Sequence, residues 1–183
     1  MIKKWISSSR KLLNDYRIFK TYSVKRESPD TGSSGEFFLV DPPNWMMIIP
    51  VLKNSEGVDC FLMVKQYRHG SDSITLEFPA GMVDPGEEVY DTAVRELAEE
   101  TGYESGNIIQ IGSVNPNPAF MTNSTTTFLA MDLVKTGQQS LDEHEEIESL
   151  IVPVKEFDKL VGGDMVNSAI TVQAYYFYLR SLK

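Results

Sequence analysis

At 183 residues, 42% of them hydrophobic, the chain is long enough to bury a core as one domain with a small extension. Its formal net charge of -9 argues against a nucleic-acid polymer as partner, since gripping a phosphate backbone needs a basic face. A small anionic substrate remains open to it, because a bound cation can supply local positive charge, while the single Cys60 excludes an intramolecular disulfide and a zinc cluster.

Residues 3–15 place Trp5, Ile6, Leu12 and Leu13 at spacings that predict a short amphipathic helix. That segment has basic residues but no apolar run of signal-peptide length, and no uninterrupted apolar run in the chain approaches the roughly 18 residues of a membrane span. The expectation is a soluble cytoplasmic protein with no membrane partner. In that compartment the glycosylation triplet Asn123-Ser124-Thr125 carries no meaning. Residues 16–26 alternate loosely and predict a strand, 28–35 are turn-rich, and two more strands are expected over 36–40 and 45–51, around Pro42-Pro43. The first 44 residues are too few for an independent domain. They are expected to add strands to the main body, residues 45–183, or to a second subunit.

Residues 58–67 are largely apolar around Cys60, as in a strand covered on both faces. A further strand over 73–78 leads through Pro79 and Ala80 into the most constrained stretch, GMVDPGEEVYDTAVRELAEETGY, residues 81–103. There Asp84-Pro85-Gly86 is turn chemistry, Gly102 stands where a helix C-cap would, and the spacing between predicts a helix over 89–101. At about 100° per residue, Tyr90, Ala93, Val94 and Leu97 share an arc wide enough to face a core. Glu96 and Glu100 lie four apart with Glu99 beside them, so three carboxylates crowd one turn and repel by roughly a few tenths of a kcal/mol per pair. A solvated acidic face is the ordinary reading of such a run. The joint spacing of Gly81, Glu87, Arg95, Glu96, Glu99, Glu100 and Gly102 favours another, in which a hard divalent cation offsets the repulsion. Downstream, strands are expected over 107–114, 125–133 and 149–154, and helices over 154–161 and 169–179.

The stretch resembles the Nudix box, G-x5-E-x7-R-E-U-x-E-E-x-G-U with U a bulky apolar residue; every fixed position is matched, and Tyr103 takes the last place. The resemblance covers about residues 45–180. It implies the Nudix fold, an α/β (α+β) arrangement of a mixed β-sheet sandwiched between helices, here with an N-terminal β extension. It also implies hydrolysis of a pyrophosphate linking a nucleoside diphosphate to another group, with two to three Mg²⁺ or Mn²⁺ ions. By this likeness the metal ligands are Glu96, Glu99, Glu100 and the carbonyl of Ala80. Loss of the Glu100 carboxylate is expected to remove most activity. Gly81, Glu87, Arg95 and Gly102 are structural within the motif, Arg95 by pairing with acids and orienting them.

Pro118, sixteen residues or so past the box, and the N-terminal extension are similar to the ADP-ribose and nucleoside-diphosphate-sugar pyrophosphatases, which pair through such an extension. That similarity implies a homodimer acting on a small-molecule nucleoside diphosphate. Arg68, in Gln66-Tyr67-Arg68, resembles an arginine of that branch that contacts substrate; an ordinary surface arginine is the alternative. Glu77, before Phe78-Pro79-Ala80-Gly81, either binds substrate or a metal-bound water, or pairs with a neighbouring arginine. The acidic run 142–148 is either a solvated loop or, by its likeness to the branch's D-E-x-E-x-I loop, the source of the catalytic base, as Glu143 or Glu145. Trp45 either stacks on a base or packs in the core. Two rival readings stand: a Nudix enzyme acting on a nucleoside triphosphate, a dinucleoside polyphosphate or coenzyme A, and a nucleotide-binding module without catalysis.

Overall fold

The computed structural model describes residues 1–141 and 145–183. Contacts divide the chain into two compact units, residues 1–44 with 115–124, and residues 45–114 with 125–183.

The first unit is a three-stranded antiparallel sheet of β1 (Ile6–Asp15), β2 (Lys20–Glu27) and β3 (Ser34–Asp41), in that order. The segment 115–124 joins it through a parallel bridge of Val40 with Met121, where Val40 N donates to Phe120 O at 2.9 Å and Thr122 N to Val40 O at 3.1 Å. The helix expected over 3–15 is not formed. Three consecutive serines, Ser7 to Ser9, favour competing backbone hydrogen bonds over helix, and the segment instead pairs along its length with β2. Arg10 fixes that choice, lying 3.8 Å over the ring of Tyr22 and pairing with Asp41 at 2.6 Å. Residues 16–19 form the β1–β2 turn, with Arg17 at positive φ and Tyr16 N bonded to Phe19 O, so the next strand starts later than expected.

The second unit holds a mixed sheet in the order β10-β5-β4-β9-β8. These are β4 (Trp45–Lys53), β5 (Asp59–Arg68), β8 (Tyr103–Val114), β9 (Thr125–Lys135) and β10 (Ile147–Pro153). Two short strands complete it, β6 (Ser73–Glu77) on β5 and β7 (Ala80–Met82) on β4. Among the strands of this sheet in the described residues, only β4 and β9 run parallel. Helix α1 (Val89–Thr101) and the pair α2 (Val154–Leu160) and α3 (Ala169–Ser181) bury the two faces of this sheet.

The alternation along β4 shows how. Met46 and Ile48 pack with Ala93 and Leu97 of α1, while Met47 and Ile49 pack with Phe157 of α2 and with Ala174, Tyr175 and Tyr178 of α3. The second face is an aromatic cluster, in which Phe61 meets Phe78, Phe157 and Tyr178 edge-on at 5.1, 5.4 and 4.9 Å between ring centres. Full burial of each such ring stabilises by roughly 1.5–3 kcal/mol. The fold is thus the expected mixed sheet between helices. Among the described residues no helix is long and apolar enough to cross a membrane.

Candidate active site

Helix α1 has the bounds the sequence predicts, but its buried stripe is rotated. Ala93 and Leu97 are fully buried, whereas Tyr90 and Val94 are partly exposed, Tyr90 standing edge-on to Phe128 at 6.0 Å. Thr92, Glu100 and Thr101 take the buried places instead. The helix therefore turns part of its acidic face inward. Gly102 ends it at φ 73°, with its N–H on Ala98 O at 2.8 Å. A Cβ there would meet the carbonyl of Gly137 at 2.6 Å.

Inward rotation needs room, and Gly81 supplies it. Strand β7 lies antiparallel to β4 with Gly81 opposite Met46, and a Cβ on Gly81 would overlap the Glu96 carboxylate. The preceding residue, Ala80, donates its N–H to Glu100 Oε2 at 3.1 Å. Glu96 and Glu100 are thus seated against the β7 backbone. Burial pushes the Glu100 carboxyl up to about 8, helped by the charge of Glu96 and opposed by the Ala80 N–H. Burial likewise pushes Glu96 up to about 7 against the pull of Arg95, with Glu99 and Glu145 adding to the rise.

Arg95 organises the outer acids. It forks onto Glu87 at 3.1 and 3.2 Å and bonds Glu96 Oε1 and Glu99 Oε2 at 2.9 Å each. Glu87, held by Arg95, by Thr92 Oγ1 at 2.8 Å and by the Asp84 N–H, falls to about 2. The guanidinium is in turn raised above its ordinary value, chiefly by Glu87. Glu99 is more open to solvent than Glu96 and Glu100, its side chain 42% accessible. Among the described residues no three His, Cys, Asp or Glu side chains form a preassembled metal cluster.

Opposite α1, the face of β5 and β6 carries a second polar group. Arg68 forks onto Glu77 with both contacts at 3.0 Å, and the almost completely buried Glu77 also accepts from Thr75 Oγ1 at 2.7 Å. The pairing with an arginine expected as one role of Glu77 is present. Burial lowers the Arg68 pKa, but Glu77, Glu100 and Glu145 together outweigh it and leave the group raised. Glu145 is exposed, and its charge contributes to the rises at Glu96, Glu100 and Arg68. Glu143 lies outside the described residues, as do Asp142 and His144. Gln139 Nε2 ties the incoming loop down, donating to Glu100 O at 2.5 Å and to Ile147 O at 3.3 Å, and Ser149 Oγ donates to the same Glu100 carbonyl.

The arrangement brings together Ala80, Gly81, Glu96, Glu100, Arg68 and Glu77, with Glu87, Arg95 and Glu99 alongside. Trp45, half-buried at the start of β4, pairs with Met82 and Thr125. Pro118 belongs to the first unit, in a turn closed by Met121 N on Asn117 O at 2.9 Å. Thr75 and Gln139 were not anticipated as part of the site. The alternation of β6 offered a signal for Thr75, two residues before Glu77 and so on its face; the bonds of Gln139 to backbone carbonyls leave no sequence signal. The half-buried Glu96 and the buried Glu100, both raised by burial and by the charge of neighbouring carboxylates, make a hard oxygen donor set that fits a divalent cation. Beside them stands the Arg68 guanidinium, clamped by Glu77.

A family model described as NUDIX domain matches residues 44–170. The chain is 32% identical over 162 residues to the ADP-ribose pyrophosphatase of Bacillus subtilis (strain 168), covering 88% of this chain and 85% of that protein. It is 28% identical over 138 residues to the ADP compounds hydrolase NudE of Escherichia coli (strain K12), covering 75% and 71%. A crystal structure of an ADP compounds hydrolase superposes with a TM-score of 0.83 over 100% of this chain and 96% of that one, at 24% identity, a likeness of fold.

Proposed function

The chain belongs to the NUDIX family, and from that membership we propose that it hydrolyses the pyrophosphate of ADP-ribose or of a nucleoside diphosphate sugar, releasing a nucleoside monophosphate and a sugar phosphate. Nudix hydrolases work with divalent metal ions. Here Glu96, Glu99, Glu100 and the Ala80 carbonyl would hold them, as two to three Mg²⁺ or Mn²⁺. Bound there, such ions supply positive charge to the diphosphate oxygens and make a water acidic enough to give up its proton near neutral pH.

The chain's own residues do the rest. Arg68 presents donors to the diphosphate oxygens, and Glu77, held by Thr75, fixes the direction of its fork. Glu145 accepts the proton of the attacking water, since it is the exposed carboxylate whose charge reaches Arg68, Glu96 and Glu100. Glu143 is the other member of that loop offered for this role. Arg95 keeps Glu96 and Glu99 oriented, and Trp45 and Pro118 are proposed substrate contacts. Residues 1–44 are proposed to pair two copies in a cytoplasmic homodimer.

The observation that carries the reading is the seating of Glu96 and Glu100 against β7 beside the Arg68–Glu77 fork. Incubation with Mg²⁺ and a panel of nucleotide compounds, with the products identified, tests it. ADP-ribose or a nucleotide sugar is expected to yield a monophosphate and a sugar phosphate. Glu100→Gln is expected to lower turnover at least about a hundredfold, some 3 kcal/mol at the transition state, with an unchanged circular-dichroism spectrum. Near wild-type turnover by that variant would overturn the assignment.

A further inference from the structure

Helix α1 has its last carbonyls answered from outside it. The final carbonyls of a helix lack partners within it, and the last turn of α1 holds no basic side chain that could bend back to them. The segment after β9 supplies the donors. Thr136 N and Gly137 N donate to Gly102 O at 3.0 and 3.2 Å, and Ser140 N donates to Glu99 O at 2.9 Å. Gln139 Nε2 donates to Glu100 O and, at 3.3 Å, to Ile147 O, so both of its protons are used. Ser149 Oγ adds a second bond to the Glu100 carbonyl at 3.2 Å.

Gln139 differs from the other donors because its one amide joins three parts of the chain. Ile147 opens β10 two residues after Glu145, and Gln139 lies six residues before it. The chain on either side of Glu145 is thereby fastened to the backbone of Glu100, the residue whose carboxyl meets the Ala80 N–H. Two residues span at most roughly 7 Å, so a fixed Ile147 confines the Cα of Glu145 to about that radius. A general base acts only within hydrogen-bond reach of the proton it takes, and a misplacement of about 1 Å lowers a rate by up to roughly a hundredfold.

Resting on the reading of Glu145 as general base, we infer that Gln139 is a positioning residue for it, its amide holding the stretch that carries Glu145 against the Glu100 carbonyl of α1. The Gln139 side chain is exposed, so Gln139→Met removes both donors at similar length without touching the core. With ADP-ribose and saturating Mg²⁺ it is expected to lower kcat about tenfold and to leave KM within about twofold, a loss confined to the transition state. Glu145→Gln is expected to lower kcat by more, and adding Gln139→Met to it to change kcat less than about twofold, since a base already removed cannot be displaced. Independently of turnover, hydrogen exchange over residues 145–149 of the metal-free protein is expected to be faster in Gln139→Met than in the wild type. An unchanged kcat, a loss cured by more Mg²⁺, the same tenfold loss repeated in the Glu145→Gln background, or unchanged exchange overturns the inference and leaves the base assignment standing. Full turnover by Glu145→Gln removes that assignment and the role of Gln139 with it. A wild type that leaves ADP-ribose intact removes the pyrophosphatase reading instead, and the exchange comparison then decides whether Gln139 holds the stretch.

Discussion

Thr75 shows how a residue with no chemistry of its own can govern one that has it. Its hydroxyl fixes one oxygen of Glu77, and both oxygens of Glu77 take the Arg68 fork. Thr75→Val removes the donor at nearly constant volume, so the fork loosens without a cavity. The expected outcome is a five- to tenfold higher KM, on the order of 1 kcal/mol, that Thr75→Ser reverses; steady-state kinetics on the three proteins decide it. A second consequence concerns pH. Glu96 and Glu100 hold protons in the folded chain up to about 7 and 8, well above their ordinary 4.5. Between about pH 5 and 8 the native state therefore binds more protons than the unfolded state, and stability falls as pH rises. The Tm of metal-free protein is expected to drop by several degrees over that window, since 1 kcal/mol moves a chain of this size by about 2–4 °C. Glu100→Gln should flatten the profile in calorimetry, and added Mg²⁺ should raise Tm more at pH 8 than at pH 5.5. The acids, Arg68 and the box glycines were legible in the sequence because their types and spacing are constrained. The link from Thr75 to Arg68 was not, since it depends on which strand lies beside which.

Among the elements, α1 was readable to the residue at both ends. A turn precedes it and Gly102 follows, where φ of 73° and the nearby Gly137 carbonyl leave no space for a side chain. Gly102→Ala combines left-handed strain with that overlap and is expected to lower stability by about 1–3 kcal/mol in urea denaturation. Its rotation about its own axis was less readable. A wheel counts only apolar residues, and the actual contact face includes Glu96, for which Gly81 makes space, and Glu100, which meets the Ala80 N–H. Strand β1 departs from the expected helix for a related reason. All ten of its residues are exposed, so no buried face imposed a period of two on the pattern. The aromatic face of the main sheet lies at the other extreme. Phe157 is fully buried against Phe61, Phe78 and Tyr175. Phe157→Ala is expected to destabilise by about 3–5 kcal/mol, measured by the same denaturation, while leaving the site residues in place.

At the scale of the whole molecule, the sheet of β1 to β3 leaves Leu13 and Phe38 at 47% and 64% exposure, and large exposed apolar side chains on strands invite a partner surface. Under the proposed homodimer, analytical ultracentrifugation is expected to give twice the 20.6 kDa chain mass, and Leu13→Glu with Phe38→Glu to shift the species toward monomer. A monomeric wild type would remove the dimer. The parallel pair in the main sheet, β4 with β9, carries a different implication. Its partners stand about 80 positions apart along the chain, and β5, β6, β7 and α1 are all encoded between them. The segment that supplies every acid of the box is thus a closed loop stitched at its base by a late strand. During synthesis those residues leave the ribosome well before β9 does, so nascent chains arrested short of residue 125 should resist neither protease nor urea, however complete their catalytic residues.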